Sequence, residues 1–446
     1  MELLEGKMTG TPRPLDISTR LQQVAELARK VPTALNTLAH HIDIELLREA
    51  YRRTRKDGAV GTDGQTAAEY AAKLEDNLRD LLDRFKSGSY RAPPVRRVHI
   101  PKGDGTKTRP IGIPTFEDKV LQRAVTMVLE AVYEQDFLNC SYGFRPGRSA
   151  HDALQALWEG LMEMRGGWVL EVDIEKFFDS MDHGRLRDFL DGRVRDGVLR
   201  RTINKWLKAG VLEGDALRYP DAGTPQGGVI SPLLANIYLH EVLDRWFETE
   251  VKPRLKGRVH LVRYADDVAI AFSSERDARR VMEVLPKRFG KYGLTLHPEK
   301  TRLVPFDPPR RGDDHGDGPG SFELLGFTHF WGTSQSGTWV VKRQTAGTRF
   351  GRALQRVTSW CRKHLHRPIA EQHRHLVQSL RGHYGYFGIT GNANALARFL
   401  FEVRCAWRRW LDRRSGRGAM PWPRFSRLLE RYPLPRPVVV HSVYRT

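Results

Sequence analysis

The chain has 446 residues, 40% of them hydrophobic, with 73 Lys and Arg against 53 Asp and Glu for a net charge of +20. That is enough apolar material for several subdomains, but no apolar run nears the length of a bilayer span and the first twenty residues lack the apolar stretch of a secretion signal, so a soluble cytoplasmic protein with no membrane partner is expected. Cys140, Cys361 and Cys405 lie far apart, which excludes a C-x-x-C zinc knuckle and argues against a disulfide framework.

Residues 1–20 are polar, contain Pro12 and Pro14, and read as a loose lead-in. A helix is predicted over 43–56, with Asp43 as its cap and Leu46, Leu47, Ala50 and Tyr51 along one face. A glycine-rich turn follows at 58–64. Residues 96–114 (RRVHIPKGDGTKTRPIGIP) read as two short strands about a Gly-Asp-Gly turn, and 117–133 as a helix. Residues 168–174 alternate as a strand does, placing Glu171 and Asp173 on the same face. Residues 186–209 read as helical and basic. Ser231-Pro232 starts a helix running to about residue 247, the serine as cap and the proline in the first turn. Apolar runs at 260–264 and 268–272 flank Ala265-Asp266-Asp267, a β-hairpin with two acids at its tip. Residues 308–320 (PPRRGDDHGDGPG) form a surface loop or subdomain junction. Strand-like stretches at 324–330 and 338–341 precede basic helices. From Lys342 onward 22 cations face only Glu371, Glu402, Asp412 and Glu430, with Trp360, Tyr384, Tyr386, Phe387, Trp407 and Trp410 among them. Arginines interleaved with aromatics suit phosphate contact and base stacking.

Two adjacent aspartates in a tight hairpin repel each other, and one tends to stay protonated unless a cation sits between them. An Asp-Asp turn is by itself common, because acids favour turns. Asp173, at the end of its own strand, changes the balance. A strand-terminal aspartate facing a hairpin aspartate can hold two divalent ions for in-line phosphoryl transfer.

Seven stretches, in order, carry a family resemblance: residues 96–114, 141–150 (SYGFRPGRSA), 171–182 (EVDIEKFFDSMD), 223–236 (GTPQGGVISPLLAN), 263–267 (RYADD), 293–300 (GLTLHPEK) and 323–327 (ELLGF). With a weaker match at 381–389 (RGHYGYFGI), they span about residue 40 to residue 411. The chain resembles reverse transcriptases, most closely the reverse transcriptase–maturases of bacterial group II introns. The resemblance implies an α+β right-hand polymerase: fingers and palm with antiparallel sheet, plus an α-helical thumb or maturase X domain. It sets an N-terminal extension at 1–40, fingers at 41–165, palm at 166–335 and the basic helical thumb with the tail at 336–446. Three thumb helices are expected near 349–364, 371–387 and 394–413.

The same resemblance implies residue roles. Asp173, Asp266 and Asp267, with the carbonyl of Ile174, would bind two Mg²⁺ ions, for which Mn²⁺ could substitute. Lys102 and Arg109, flanking the fingers turn, would grip the incoming triphosphate, with Lys107 as a substitute. Phe178 would pack beneath the sugar and exclude a 2′-hydroxyl, with Phe177 as its core neighbour. Gln226 would lie under the nascent base pair, and Lys300 near the leaving phosphates. Arg145, Arg148, Pro225, Gly227, Tyr264, Arg381, Tyr384 and Tyr386 would contact template or primer. Partners are then dNTPs, a DNA primer or target, and an RNA template of structured intron type.

The residues up to Thr446 hold no cysteine pair or His/Asp/Asn cluster for a fused endonuclease, and too few acids after Lys342 for an RNase H. A compact, endonuclease-lacking type is therefore expected, priming from a nascent strand or an existing 3′ end. Three other readings stay open: a splicing cofactor that has lost polymerisation, a domesticated enzyme of phage defence or DNA repair, and an RNA-directed RNA polymerase. The intact aspartates oppose the first and Phe178 the last.

Overall fold

The computed structural model describes residues 16–102, 107–214, 216–219, 223, 227–309, 320–414 and 420–442. In chain order the helices are α1 (Ile17–Lys30), α2 (Ile44–Arg53), α3 (Ala67–Ala71), α4 (Leu74–Ser87), α5 (Phe116–Tyr133), α6 (Ala150–Met164), α7 (Phe177–Ser180), α8 (His183–Arg193), α9 (Gly197–Leu207), α10 (Ser231–Leu239), α11 (Glu275–Gly290), α12 (Gly347–Lys363), α13 (Ile369–Phe387), α14 (Ala393–Asp412) and α15 (Trp422–Arg431). The strands are β1 (Val95–Lys102), β2 (Lys107–Ile113), β3 (Trp168–Val172), β4 (Val211–Glu213), β5 (Ala216–Arg218), β6 (Val259–Tyr264), β7 (Asp267–Phe272), β8 (Arg302–Pro305), β9 (Phe322–Leu324), β10 (Phe327–Thr333) and β11 (Trp339–Thr345). They form two compact units. One holds residues 1–100, 109–138 and 176–245, the other 101–108, 139–175 and 246–446.

The first unit is mostly helical around the apolar α5, with α1 and α2 packed on it and a sheet ordered β2-β1-β4-β5. Helix α1 begins at Ile17, inside the stretch expected to be loose. Its Val24 and Ala28 are buried, and Arg20 is ion-paired with Asp43. Asp43 also caps α2, accepting from the Leu46 N–H at 2.9 Å. The predicted helix over 186–209 is two helices. Asp196 breaks it by capping α9 through the N–H groups of Val198 and Leu199, and its other oxygen takes the N–H groups of Leu38 and Ala39 at 2.7 and 2.8 Å. A buried network sits at the centre of this unit. Asp118 accepts from Tyr90, from the Trp206 indole at 2.7 Å and from the Gln122 amide at 3.0 Å. Ser231 is the first residue of α10 and not its cap, Pro232 sits in the first turn, and the chain continues through wider π-type turns to Val251.

The second unit is built on an antiparallel sheet ordered β6-β7-β3-β8. Strand β3 is central, hydrogen-bonded to β7 on one side and β8 on the other. One face, with Val169, Val262, Ala269 and Ala271, packs on Ala153, Leu154, Leu157 and Leu161 of α6, and α11 lies against β3, β7 and β8. Glu171 is engaged by Arg302 and by the N–H of Glu323 at 3.0 Å, which ties β3 to β8 and β9. A second sheet, β11-β10-β9, turns between β9 and β10 at Leu325-Gly326. Both turn residues have positive φ (51° and 82°), the tight hairpin geometry for which glycine is suited. Helices α12, α13 and α14 pack around Leu376, Leu380, Phe399, Val403 and Trp407. The Trp407 indole donates to Gln372 Oε1 at 2.9 Å. A fourth helix, α15, which sequence periodicity missed, sets Phe425 edge-on against Trp407. Among the described residues no helix is long and apolar enough to cross a membrane.

Candidate active site

The aspartates meet because β3 and β7 are hydrogen-bonded neighbours in the second unit. Val172 lies across from Val268, so one step further along each strand Asp173 comes level with Asp267. Tyr264 pairs with Asp267 across the β6–β7 hairpin, leaving Ala265-Asp266 as a two-residue turn. Ala265 has φ of 56°, a conformation that costs an ordinary residue on the order of 1–2 kcal/mol. The surroundings fix it there. Arg263 is fully buried, and its guanidinium donates to the Ala265 carbonyl at 3.1 Å and to Ser141 Oγ at 2.7 Å. Gly143 lies so close that a Cβ on it would fall 2.3 Å from the Ala265 nitrogen. The backbone of residues 140–142 completes the seat: the Arg263 N–H donates to the Cys140 carbonyl and the Tyr142 N–H to the Arg263 carbonyl, both at 2.8 Å.

Crowding shows in the electrostatics. Burial, then the charges of Asp266 and Asp173, push the Asp267 carboxyl up to about 6, while Arg349 and Lys300 pull the other way. Lys300 Nζ lies 3.0 Å from Asp173 Oδ2 and forms an ion pair with it. Among the described residues no three His, Cys, Asp or Glu side chains form a finished metal cluster. The donors are hard carboxylate oxygens, the type magnesium takes, and magnesium completes its shell with water and substrate phosphates. Ile174 pairs with Leu296, and the Asp173 carbonyl accepts from the His297 N–H at 2.8 Å.

Asp267 opens on a cleft of about 1220 Å³ within this unit, lined also by Leu325, Gly326, Arg349, Arg352, Arg356, Trp360, Lys363, His364, Tyr386 and Phe387. Tyr386 is half-buried and donates its hydroxyl to the Leu325 carbonyl at 2.8 Å, supporting the β9–β10 turn. Arg349, in the first turn of α12, lies alongside Gly326. Its only sequence signal was position: the first cation of the first thumb helix.

The remaining predicted contacts divide by burial. Arg145 is buried, its guanidinium donating to the Ser141 carbonyl at 2.8 Å. Arg148 is held by Asn139 through its carbonyl and side-chain oxygens at 3.0 and 2.7 Å. Both therefore brace the loop under the aspartate turn. Tyr384 is buried in the thumb core with its hydroxyl on the Pro435 carbonyl at 3.3 Å, while Arg381 one turn away is exposed. Tyr264 is half-buried, its ring 6.4 Å from that of Phe144. Phe144 is 54% exposed and has a positive φ of 57°.

Arg109, Phe178 and Gly227 belong to the first unit. Arg109 is exposed on β2. Phe178 lies in α7, edge-on to the buried Phe177. Gly223 has φ of 89° and sits against the carbonyls of Phe178 and Asp179, and Gly227 sits against Ile111 and Gly112 of β2; a Cβ on either would collide with those atoms. Lys102 ends β1, but its side chain and that of Lys107, and all of Pro225 and Gln226, lie outside the described residues.

Residues 100–329, more than half of the chain, match the family model described as reverse transcriptase (RNA-dependent DNA polymerase). The chain belongs to the reverse transcriptase family. It is 36% identical over 298 residues to protein YkfC of Escherichia coli, covering 58% of this chain and 76% of that one. It is 44% identical over 172 residues to the group II intron-encoded protein LtrA of Lactococcus lactis, covering 39% and 28% of the two chains. It is 32% identical over 235 residues to nuclear intron maturase 2, mitochondrial, of Arabidopsis thaliana, covering 42% and 31%. The alignments thus span less than a third of these last two relatives. The chemistry of the family is RNA-directed DNA synthesis, which requires a nucleic acid template and a divalent metal ion.

Proposed function

We propose that this reverse transcriptase extends a DNA primer on a structured RNA template of group II intron type, using two Mg²⁺ ions, and assists the folding and splicing of that RNA. The observation that carries the reading is the crowding of Asp267 with Asp266 and Asp173 on adjoining strands. A buried carboxylate whose ionisation two neighbouring carboxylates oppose gains most from a divalent counter-charge. Asp173, Asp266, Asp267 and the Ile174 carbonyl would hold the ions. When bound, these supply activation of the primer 3′-hydroxyl and charge compensation for the departing pyrophosphate. Lys300 exchanges its contact with Asp173 for the triphosphate. The Leu325-Gly326 turn, braced by Tyr386, supports the primer end, and Arg349 holds a primer phosphate. Arg109 grips the incoming triphosphate, and Phe178 excludes a ribose 2′-hydroxyl. The splicing role is supported by the likeness to intron-encoded proteins and by the arginines of α12 facing the cleft.

The test is Asp266→Asn, assayed for primer extension on an RNA template and separately for RNA affinity. Extension should fall at least a thousandfold while affinity stays within about twofold, because the carboxylate serves the metal and not the RNA. Full extension, or parallel loss of both, would overturn the assignment.

A further inference from the structure

The first unit has a concentration of cations that the aspartate site does not use. A groove of about 470 Å³ runs beside the loop that enters β1 and the last turns of α9. Arg91 comes from the loop. Arg201, Lys205 and Lys208 follow one another at helical spacing, so all three project from one face over roughly 10 Å. Lys205 is fixed in the wall, its ammonium donating to the carbonyls of Gly88 at 2.7 Å and Tyr90 at 2.6 Å. No acid lines the groove, and among the described residues none of the four cations is ion-paired. Some other surface arginines of this unit are paired with acids: Arg48 with Glu75, Arg53 with Glu49, Arg200 with Asp191.

Two uncharged groups narrow the ligand. Tyr219, 67% exposed, presents its ring at the groove edge. Asn204, also in the lining, has a side-chain oxygen that is buried and accepts no hydrogen bond. A bare anion has no donor to offer that oxygen and no ring to stack on Tyr219. A ribonucleotide strand has phosphates for the cations, a base for the tyrosine, and a 2′-hydroxyl or exocyclic amine for the asparagine. We propose that this groove is a second RNA-binding site, separate from the site of synthesis, that takes an RNA strand along Arg201 and Lys208 with a base on Tyr219. The assignment rests on this unit alone and stands whether or not the aspartates bind metal as described.

The test uses the full chain carrying Arg201→Ala with Lys208→Ala, and separately Tyr219→Ala. Affinity is measured across a salt series for three ligands: a blunt RNA–DNA duplex, the same duplex with a single-stranded RNA overhang, and a long folded RNA. The double variant should bind one or both of the last two about tenfold more weakly. Its logarithmic salt slope should be shallower by roughly 1.4 to 1.8, the loss of two phosphate contacts. Tyr219→Ala should weaken the same ligand about fivefold or more with its slope unchanged. Loss with the overhang identifies the strand as template, and loss with the folded RNA identifies it as a structured host RNA. Blunt-duplex binding should be unaffected, as should the extension rate on the overhang duplex at saturating protein. Unchanged affinity and slope for both RNAs, or an equal loss with the blunt duplex, would overturn the proposal.

Discussion

Replacing Gly143 by alanine probes how the aspartate turn is held. The added methyl would meet the Ala265 nitrogen at 2.3 Å, the Tyr264 carbonyl carbon at 2.9 Å and the Ala265 Cα at 3.1 Å. Ordinary contact begins near 3.4 Å, so one of the two backbones must retreat by about 1 Å. No flexible side chain can absorb that shift, because every atom met is main chain and Arg263 pins the Ala265 carbonyl. Overpacking of this kind costs about 1–3 kcal/mol of stability, and a reacting group misplaced by about 1 Å loses on the order of a hundredfold in rate. Gly143→Ala should therefore extend a primer about a hundredfold more slowly in single turnover at saturating metal and dNTP, while binding the duplex nearly as well. Gly192→Ala is the control: nothing lies within 4 Å of its Cβ position in α8, so it should be neutral or stabilising by about 0.5–1 kcal/mol. Extension by Gly143→Ala at the wild-type rate would refute the idea that this contact positions Asp266 and Asp267.

Asp118 gives a pH prediction for the first unit. Burial raises its carboxyl from 3.8 to about 6, against the hydrogen bonds from Tyr90, Trp206 and Gln122. A group raised on folding contributes stability below its unfolded value and loses it as pH climbs through the folded one. Unfolding free energy should thus fall between about pH 4 and pH 6 by up to ~3 kcal/mol through this residue. Asp118→Asn should flatten that part of the profile in denaturant titrations, and an unaltered slope would show that the carboxyl does not titrate there. Phe178→Ala should raise ribonucleotide incorporation relative to deoxyribonucleotide; equal sugar selectivity in competition assays would remove it as the gate. Trp407→Ala, which deletes a fully buried indole and its bond to Gln372, should destabilise the thumb by roughly 3–5 kcal/mol, seen as a lower midpoint in helical circular dichroism. An unchanged midpoint would mean that α12–α15 is not one cooperative bundle.

Local pattern was enough to locate most elements. The alternating run of β3, the apolar flanks of Ala265-Asp266-Asp267, the Asp43 cap and the periodic faces of α5 and the first three thumb helices can each be read over a few residues, because backbone preference and side-chain period act over that range. The order of the motifs likewise placed the chain among reverse transcriptases. Short-range pattern failed where a distant partner decides. Asp196 splits a basic helical stretch because it serves Leu38 and Ala39, more than 150 residues away. Amphipathic α15 became a helix with a buried face only when Phe425 found Trp407.

The same limit applies at the site. The family resemblance marks Arg145 and Tyr384 as nucleic-acid contacts and does not single out Arg349, yet the first two are buried on backbone carbonyls and of the three Arg349 alone faces Asp267 across an open cleft. Residue type tells what chemistry a side chain can do. Whether it does so toward solvent or toward its own main chain depends on which groups the folded chain brings within hydrogen-bond range. The sequence by itself therefore determined the carboxylates and the strands that bear them. Tertiary structure alone decided their alignment through the β3–β7 register, and the seat that Gly143 and Arg263 make for their turn, because both depend on contacts between segments far apart along the chain.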